Sequence, residues 1–256
     1  MTKLLTLNIQ YGQPVPVGYA IADPQLRSNG PESISLLARS IAQLAPDIVG
    51  VQEVDRGKPR SAWVDQLAVL AQHTGLQPYF ARTKWHYGMG LLTRYPVHEV
   101  HVRRLPGRRS PWIPADTVHP RGRIKWPDPR ACLYGIVESE GGPLALGVTH
   151  LSTVRRVALT QLDAALAHLA DFAHGLPMIL MGDMNLRLPY IEEALSPQLG
   201  VMPLVRANAS PNWQPFFQID HILGRGVRLI DSRVVSFPIS DHAGLFVRLD
   251  EKYSCS

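Results

Sequence analysis

The sequence predicts a mixed α/β fold in which two β-sheets pack together with helices on the outside. Three observations carry that prediction. Short apolar runs of strand length recur from residue 4 to residue 249. Three longer stretches, at 32–45, 61–74 and 155–173, show the 3.6-residue period of amphipathic helices instead. Several neighbouring strand candidates are joined by hairpin-length turns, at Tyr95-Pro96, Gly141-Gly142 and Gly224-Arg225-Gly226. Such turns favour antiparallel or mixed pairing over a purely parallel, doubly wound sheet.

Taken in order, Leu4–Ile9 is a short apolar strand, with Asn8 and then Gly12 leading into a loop. Residues 32–45 place Ile34, Leu37, Ala38, Ile41 and Ala45 on one helical face, and Pro46 stops the helix. Asp47–Glu53 reads as a buried strand. A second helix over 61–74 carries Trp63, Val64, Leu67, Leu70 and Ala71 and closes at Gly75. Strands follow at 77–82, 87–94 and 97–103, then near 131–138 and 143–149. Leu162, Ala165, Leu166 and Leu169 mark the third helix. Pro177–Met181 is a short apolar strand, and strands near 217–223, 227–236 and 243–249 finish the chain.

Composition narrows the class. The chain has 256 residues, enough to bury about 70–75% of its unfolded surface in a sizeable core. No repeat or linker divides it, so residues 1–256 read as one domain. Pro and Gly make up about a sixth of the chain, below the ~25–30% of low-complexity disorder. Two cysteines, Cys132 and Cys255, make no disulfide framework and no CxxC pair, which points to a reduced cytoplasm. No apolar run approaches the ~18 residues of a membrane span, and the N-terminus lacks the pattern of a secretory signal.

The net charge of +5 is unevenly placed. Residues 103–130 carry eight Arg and Lys against Asp116 and Asp128, so this segment is +6 and the remainder −1. Its six prolines argue against helix or central strand. We therefore expect a long basic, Pro-rich surface loop at about 103–130. It offers Trp112, Trp126 and Arg130 as substrate contacts: cations for phosphate and aromatic faces for bases or a lipid interface. A merely solvated basic loop is the alternative.

Polar groups gather at the ends of the apolar strands. Asn8, Glu53, His150, Asp183 with Asn185, Asp220 with His221, and Asp241 with His242 all stand there. Each alone has a bland explanation as a turn or a satisfied core residue. As a set they are oxygen-rich, which suits hard Mg²⁺ or Mn²⁺ better than Zn²⁺. In extended backbone, residues i and i+2 face the same way, so Asp183 and Asn185 should project into one site. Adjacent Asp241 and His242 should point differently, one to metal and the other to substrate.

These motifs resemble the endonuclease/exonuclease/phosphatase superfamily, which contains pancreatic-type deoxyribonuclease, exonuclease III, neutral sphingomyelinases and inositol polyphosphate 5-phosphatases. The matching pieces are LLTLNIQ (4–10), PDIVGVQEVD (46–55), YGMGLLTRYPV (87–97), GVTHLST (147–153), MILMGDMN (178–185), QIDHILG (218–224) and ISDHAGLFVRL (239–249). They occur in the family's order and span almost the whole chain. The resemblance implies a four-layer sandwich of two mostly antiparallel sheets, with helices outside and a site at one edge. It implies Glu53 as main metal ligand, with Asn8 and Asp241 beside it, and Mg²⁺ or Mn²⁺ as cofactor. By the same resemblance Asp183 activates water, Asn185 donates to a phosphoryl oxygen, and His242, oriented by Asp220, contacts phosphate. His150 stabilises the transition state or protonates the leaving oxygen, and His221 is structural.

Two departures shape the expected function. Gln10 stands where exonuclease III-like repair enzymes carry an acid, and His150 where they carry Tyr. Both move the reading away from abasic-site repair. The expectation is a metal-dependent phosphoester hydrolase, nuclease-like, acting as a monomer. A phosphatase or phospholipase C-like enzyme acting on phosphoinositide, sphingomyelin or a small metabolite is the alternative, and peripheral membrane contact stays open. A non-catalytic phosphate-binding scaffold is the remote alternative. A calcineurin-like phosphatase needs a Gly-Asn-His-Glu/Asp element, and none occurs.

Overall fold

The computed structural model describes residues 1–26, 28–107, 121, 124 and 128–250, and the backbone of 112, 113 and 123. The chain runs β1 (Thr2–Asn8), α1 (Pro31–Leu44), β2 (Ile48–Asp55), α2 (Gln66–Thr74), β3 (Gln77–Lys84), β4 (Tyr87–Thr93) and β5 (Val97–Arg104). It continues with β6 (Trp112–Ile113), β7 (Arg123–Ile124), β8 (Ala131–Ser139), β9 (Gly142–His150), α3 (Arg155–Ala173), β10 (Met178–Asp183) and α4 (Leu188–Ala194). β11 (Met202–Pro203), β12 (Asp220–Arg225), β13 (Leu229–Val235) and β14 (Gly244–Leu249) complete it.

Two six-stranded sheets carry the fold. Their orders are β13-β14-β1-β2-β4-β3 and β11-β12-β10-β9-β8-β5. Each has one parallel pair, β1 with β2 and β9 with β10, among antiparallel neighbours. Alternation along the strands sends residues to two different cores. Leu4, Ile48 and Leu91 of the first sheet pack with Leu146, Val148 and Ile179 of the second in the layer between the sheets. The opposite face of the first sheet, Leu5, Leu7, Val49 and Val51, takes Ile34, Leu37 and Ile41 of α1 and Leu67 and Leu70 of α2. The outer face of the second sheet takes Leu162, Ala165, Leu166 and Leu169 of α3. The result is the four-layer sandwich.

Local chemistry sets the helix ends. Pro31 opens α1 at a position where its missing N–H costs nothing, and Glu32 lies in the first turn. Ala45 then turns left-handed (φ 47°) and Pro46 ends the helix. Fully burying a residue such as Leu37 stabilises by about 1.5–3 kcal/mol, so the stripe on α1 outweighs the modest propensity of its serines.

The structure corrects several local expectations. The second helix starts at Gln66, not Ser61, because the Asp65 side chain accepts from the Ala68 N–H and caps it there. Trp63 and Val64 therefore lie outside the helix. Tyr95-Pro96 and Gly224-Arg225-Gly226 are not hairpins: β4 and β5 lie in different sheets, as do β12 and β13. Turn residues say that the chain reverses, not which sheet receives it. The strand expected from 217 starts at Asp220, since Gln218 is drawn to the Val205 carbonyl and the Ala207 N–H. α4 was not foreseen, because seven residues with Pro189 near the start and Ile191 alone buried show no helical period. Of the basic segment, Arg103 and Arg104 end β5, and a two-residue ladder joins Trp112–Ile113 to Arg123–Ile124. The side chain of Trp112 and the whole of Trp126 lie outside the described residues.

Candidate active site

The two parallel pairs determine where the site forms. Parallel neighbours end on the same side, so β1 and β2 deliver Asn8 and Glu53 to one edge, and β9 and β10 deliver His150 and Asp183. The sheets face one another, and Asn8 bridges them. Its Nδ2 donates to Glu53 Oε1 at 3.2 Å and to Asp183 Oδ2 at 3.0 Å. Asn8 Oδ1 accepts from the Gln10 N–H, which fixes the amide's orientation.

Two backbone devices aim the carboxylates. β2 does not end at Glu53 as expected but continues to Asp55. Its register against β4 slips between Val51 and Val54, and Glu53 sits in this bulge with φ 58°. A bulge re-aims a side chain that strict alternation would bury. On β10, Gly182 has φ 140°, and a Cβ there would lie 2.0 Å from the Thr149 carbonyl oxygen. That close approach sets Asp183 directly between His150 on its parallel side and Asp220 on its antiparallel side.

The histidines differ in partner. His150 Nε2 lies 3.4 Å from Asp183 Oδ2 and 3.9 Å from Glu53 Oε1. His242 Nδ1 donates to Asp220 Oδ2 at 2.7 Å, leaving Nε2 turned toward Asp183 Oδ2 and Asp241 Oδ1, each 3.9 Å away. Burial pulls His242 toward the neutral form, but the carboxylates of Asp220 and Asp183 outweigh it and hold the imidazolium up to about 10. Burial pushes the Asp183 carboxyl up to about 7, against the opposing pull of the His242 cation. His221 is buried outside the cavity, with Nε2 on the Leu186 carbonyl at 2.7 Å, and burial lowers its pKa.

Asn185 reaches the site by a different route from the one expected. β10 stops at Asp183, and Asn185 is left-handed (φ 51°), not extended. Its N–H donates to Asp183 Oδ1 at 2.9 Å, an Asx turn, and its Nδ2 donates to the Leu151 carbonyl at 3.1 Å. Asp241 and His242 follow Ser240, whose hydroxyl donates to the Asn8 carbonyl and accepts from the His242 N–H. Gln10 accepts from the Asp241 N–H. Asp241 is half-exposed at the rim, whereas His242 is buried.

These groups share a cavity of about 440 Å³, whose lining includes Asn8, Glu53, His150, Asp183, Asn185, Asp241 and His242. Asp220 stands behind, wholly buried. Arg130 also lines the cavity, and its Nε is buried without a hydrogen-bond partner. Sequence reasoning missed other residues of this wall, Tyr11, Lys58, Arg60, Lys84 and Tyr87 among them. Arg60 bonds both oxygens of buried Asp55 and lies 3.8 Å over the Tyr11 ring. Lys58 Nζ lies 4.7 Å over the Tyr87 ring, and burial lowers its pKa despite Asp55. The available signal was three cations, Arg56, Lys58 and Arg60, within seven residues of a strand-end glutamate.

The donor set fits a divalent cation. Glu53 and Asp183 share one amide donor, and among the described residues no Lys or Arg forms an ion pair with Glu53, Asp183 or Asp241. Carboxylates gathered this way repel, and oxygen ligands suit a hard ion. A second grouping exists: Asp183, Asp220 and His242 offer ligand atoms within 4.8 Å of one another. There the His242–Asp220 hydrogen bond already occupies one oxygen and one ring nitrogen.

Comparison with known proteins agrees with the fold. The chain is similar to the endonuclease/exonuclease/phosphatase protein of Beutenbergia cavernae, with 20% identity, TM-score 0.68, and coverage of 99% of this chain and 72% of that one. It is similar to a Bacteroides vulgatus protein of the same description, with 16% identity and TM-score 0.72 over 97% and 98% of the two chains. The human Nocturnin catalytic domain, solved with a bound sulfate anion, gives 18% identity and TM-score 0.68 over 97% and 93%. At these identities the likeness shows the fold. Among curated proteins, no sequence matches the chain. A family model does match, over residues 5–242, and the chain belongs to the Endonuclease/Exonuclease/phosphatase family.

Proposed function

We propose that the chain is a Mg²⁺- or Mn²⁺-dependent phosphodiesterase, nuclease-like in substrate class, in which Asp183 activates the attacking water. One observation carries the reading: Asp183 Oδ2 lies within 3.0 Å of Asn8 Nδ2, 3.4 Å of His150 Nε2 and 3.9 Å of His242 Nε2 in a cavity shared with Glu53. Glu53, Asn8 and Asp241 would hold the ion, whose chemistry is to neutralise charge on the phosphoryl oxygens. A carboxyl held near neutral pKa is suited to take a proton from water at neutral pH. His242, held by Asp220, presents Nε2–H to a phosphate oxygen, and the second N–H of Asn185 Nδ2 faces another. His150 donates to the leaving oxygen, and Arg130 faces the substrate with its unpartnered Nε. The reading takes residues 1–256 as one domain acting as a monomer in the cytoplasm.

A second reading is favoured by the cavity's size and its cations. Lys58, Arg60, Lys84 and Arg130 on one wall of about 440 Å³ suit a compact polyanion such as an inositol phosphate. One panel separates the two: plasmid DNA, RNA, a chromogenic phosphodiester, inositol phosphates and sphingomyelin, each with Mg²⁺, Mn²⁺ or EDTA. Metal-dependent hydrolysis of nucleic acid is expected, and Asp183→Asn should lower turnover by about 10²–10⁴-fold. No hydrolysis of any member would end the phosphoesterase reading, and full activity in Asp183→Asn would end the role given to that residue.

A further inference from the structure

Beside the catalytic cavity lies a second cavity of about 710 Å³ that the reaction above does not use. Trp63, Phe80 and Trp85 line it with Arg56, Arg82 and His86. Trp63 is 70% exposed and Trp85 is 83% exposed. Large aromatic surfaces left in water are costly to keep unless something covers them. The backbone adds to that cost. Trp63 and His86 both hold left-handed φ, 63° and 52°, as does Ala62 at 51°. Side-chain-bearing residues adopt this region at an energetic penalty, and such outliers concentrate at ligand sites.

The two cavities share a wall. Lys58, Lys84 and Tyr87 face the catalytic side, whereas their neighbours Arg56, Gly57, Trp85 and His86 face the second. Two bonds fasten that wall: the Arg56 N–H donates to the His86 carbonyl at 2.9 Å, and His86 Nδ1 bonds the Arg56 carbonyl at 2.8 Å. Arg56 itself is positioned, with its guanidinium on Asp65 and 4.8 Å over the Phe80 ring.

We propose that the Trp63–Trp85 cavity is a stacking subsite for an unpaired base of single-stranded nucleic acid whose backbone runs from the catalytic cavity. This rests on the phosphodiesterase reading and specifies its substrate. Ring faces accept any base, and flanking arginines suit the phosphates between stacked bases. A base inside a duplex hides its faces, so the substrate must be single-stranded here. A membrane surface fits less well, because the aromatic side chains line a concavity that also holds the Asp65 carboxylate.

The test is fluorescence anisotropy with fluorescein-labelled dT12 in EDTA, which arrests hydrolysis. The wild type should bind dT12 more tightly than the matching duplex, with affinity falling as salt rises. Trp63→Ala and Trp85→Ala should each weaken binding about tenfold. Trp63→Phe and Trp85→Phe should recover most of the loss, which separates stacking from a folding defect. Equal binding by the alanine variants, or no preference for dT12 over duplex, overturns the proposal. So does loss of phosphatidylcholine/phosphatidylserine vesicle co-sedimentation in those variants without any effect on dT12. Binding is read whether or not the protein hydrolyses anything. An active enzyme with normal dT12 binding by the Trp variants sinks this inference alone, and an inactive protein that binds dT12 through both tryptophans sinks the phosphodiesterase reading alone.

Discussion

His242 and Asp220 join the two sheets at their common edge, with His242 Nδ1 donating to Asp220 Oδ2 at 2.7 Å. Asp220 opens β12 in one sheet, and His242 stands two residues before Gly244, which opens β14 in the other. Asp220 is wholly buried, and its Oδ1 has no hydrogen-bond partner. A buried carboxylate in that position is tolerable only beside a cation, so the pair is charged together.

Asp220→Asn should uncouple it. Burial alone pulls the imidazole toward neutral, and with the Asp220 charge gone less remains to oppose it. We expect the His242 pKa to fall well below about 10, read from its ring-proton shifts by NMR titration in metal-free protein. An unchanged titration would mean that Asp183 and Asp241 hold the proton without Asp220.

The same pair predicts how stability varies with pH. The folded-state value of about 10 lies above the ordinary 6.5, so the folded state binds the proton more tightly than the unfolded chain. That contribution is fully present below pH 6.5 and is lost as pH rises through about 10, with a slope of at most about 1.4 kcal/mol per pH unit for one proton. Urea unfolding of metal-free protein should therefore show stability declining from pH 6.5 to 10. His242→Gln should flatten that window. A decline of equal slope in the variant would assign it to other groups.

How much of this was legible in sequence depends on the kind of signal. The sandwich was legible because strand-length apolar runs and helix-period stripes follow from alternation and the 3.6-residue turn, which are properties of contiguous residues. The strand-end cluster was legible because Asn8, Glu53, His150 and Asp183 stand where apolar runs stop, and Asp241 just before one begins. The route by which Glu53 and Asn185 reach the cavity was not, since a bulge and an Asx turn are set by neighbouring strands and local bonds. Lys58, Arg60 and Tyr87 escaped notice because their meaning comes from tertiary partners, Asp55 and Tyr11 among them. The switch of sheet after Thr93 was equally invisible, since partner choice is made by strands far along the chain.

Metal binding should stabilise the fold. A cation that binds only the native state raises stability by RT ln(1 + [L]/Kd), about 2.7 kcal/mol at a hundredfold excess over Kd. Thermal unfolding with Mg²⁺ or Mn²⁺ should show a rise in Tm that EDTA reverses. Glu53→Gln should abolish that rise and Asp220→Asn should preserve it. The reverse result would move the ion to the Asp183, Asp220 and His242 group.

Gly182 provides the sharpest test of how the fold places Asp183. Its φ of 140° already disfavours a side chain, and the added Cβ would lie 2.0 Å from the Thr149 carbonyl oxygen. Relief requires the ends of β9 and β10 to separate, which breaks the register that sets Asp183 beside His150. Gly142 offers the matched control: its φ is 105°, also unfavourable, but a Cβ there has nothing within 4 Å. Gly142→Ala should therefore cost only the backbone penalty, about 1 kcal/mol. Gly182→Ala should cost about 3 kcal/mol or more, in the tail of single-substitution effects. Urea denaturation of both variants measures the difference. Equal costs would show that backbone conformation alone, and not the close approach to Thr149, holds Asp183 in place.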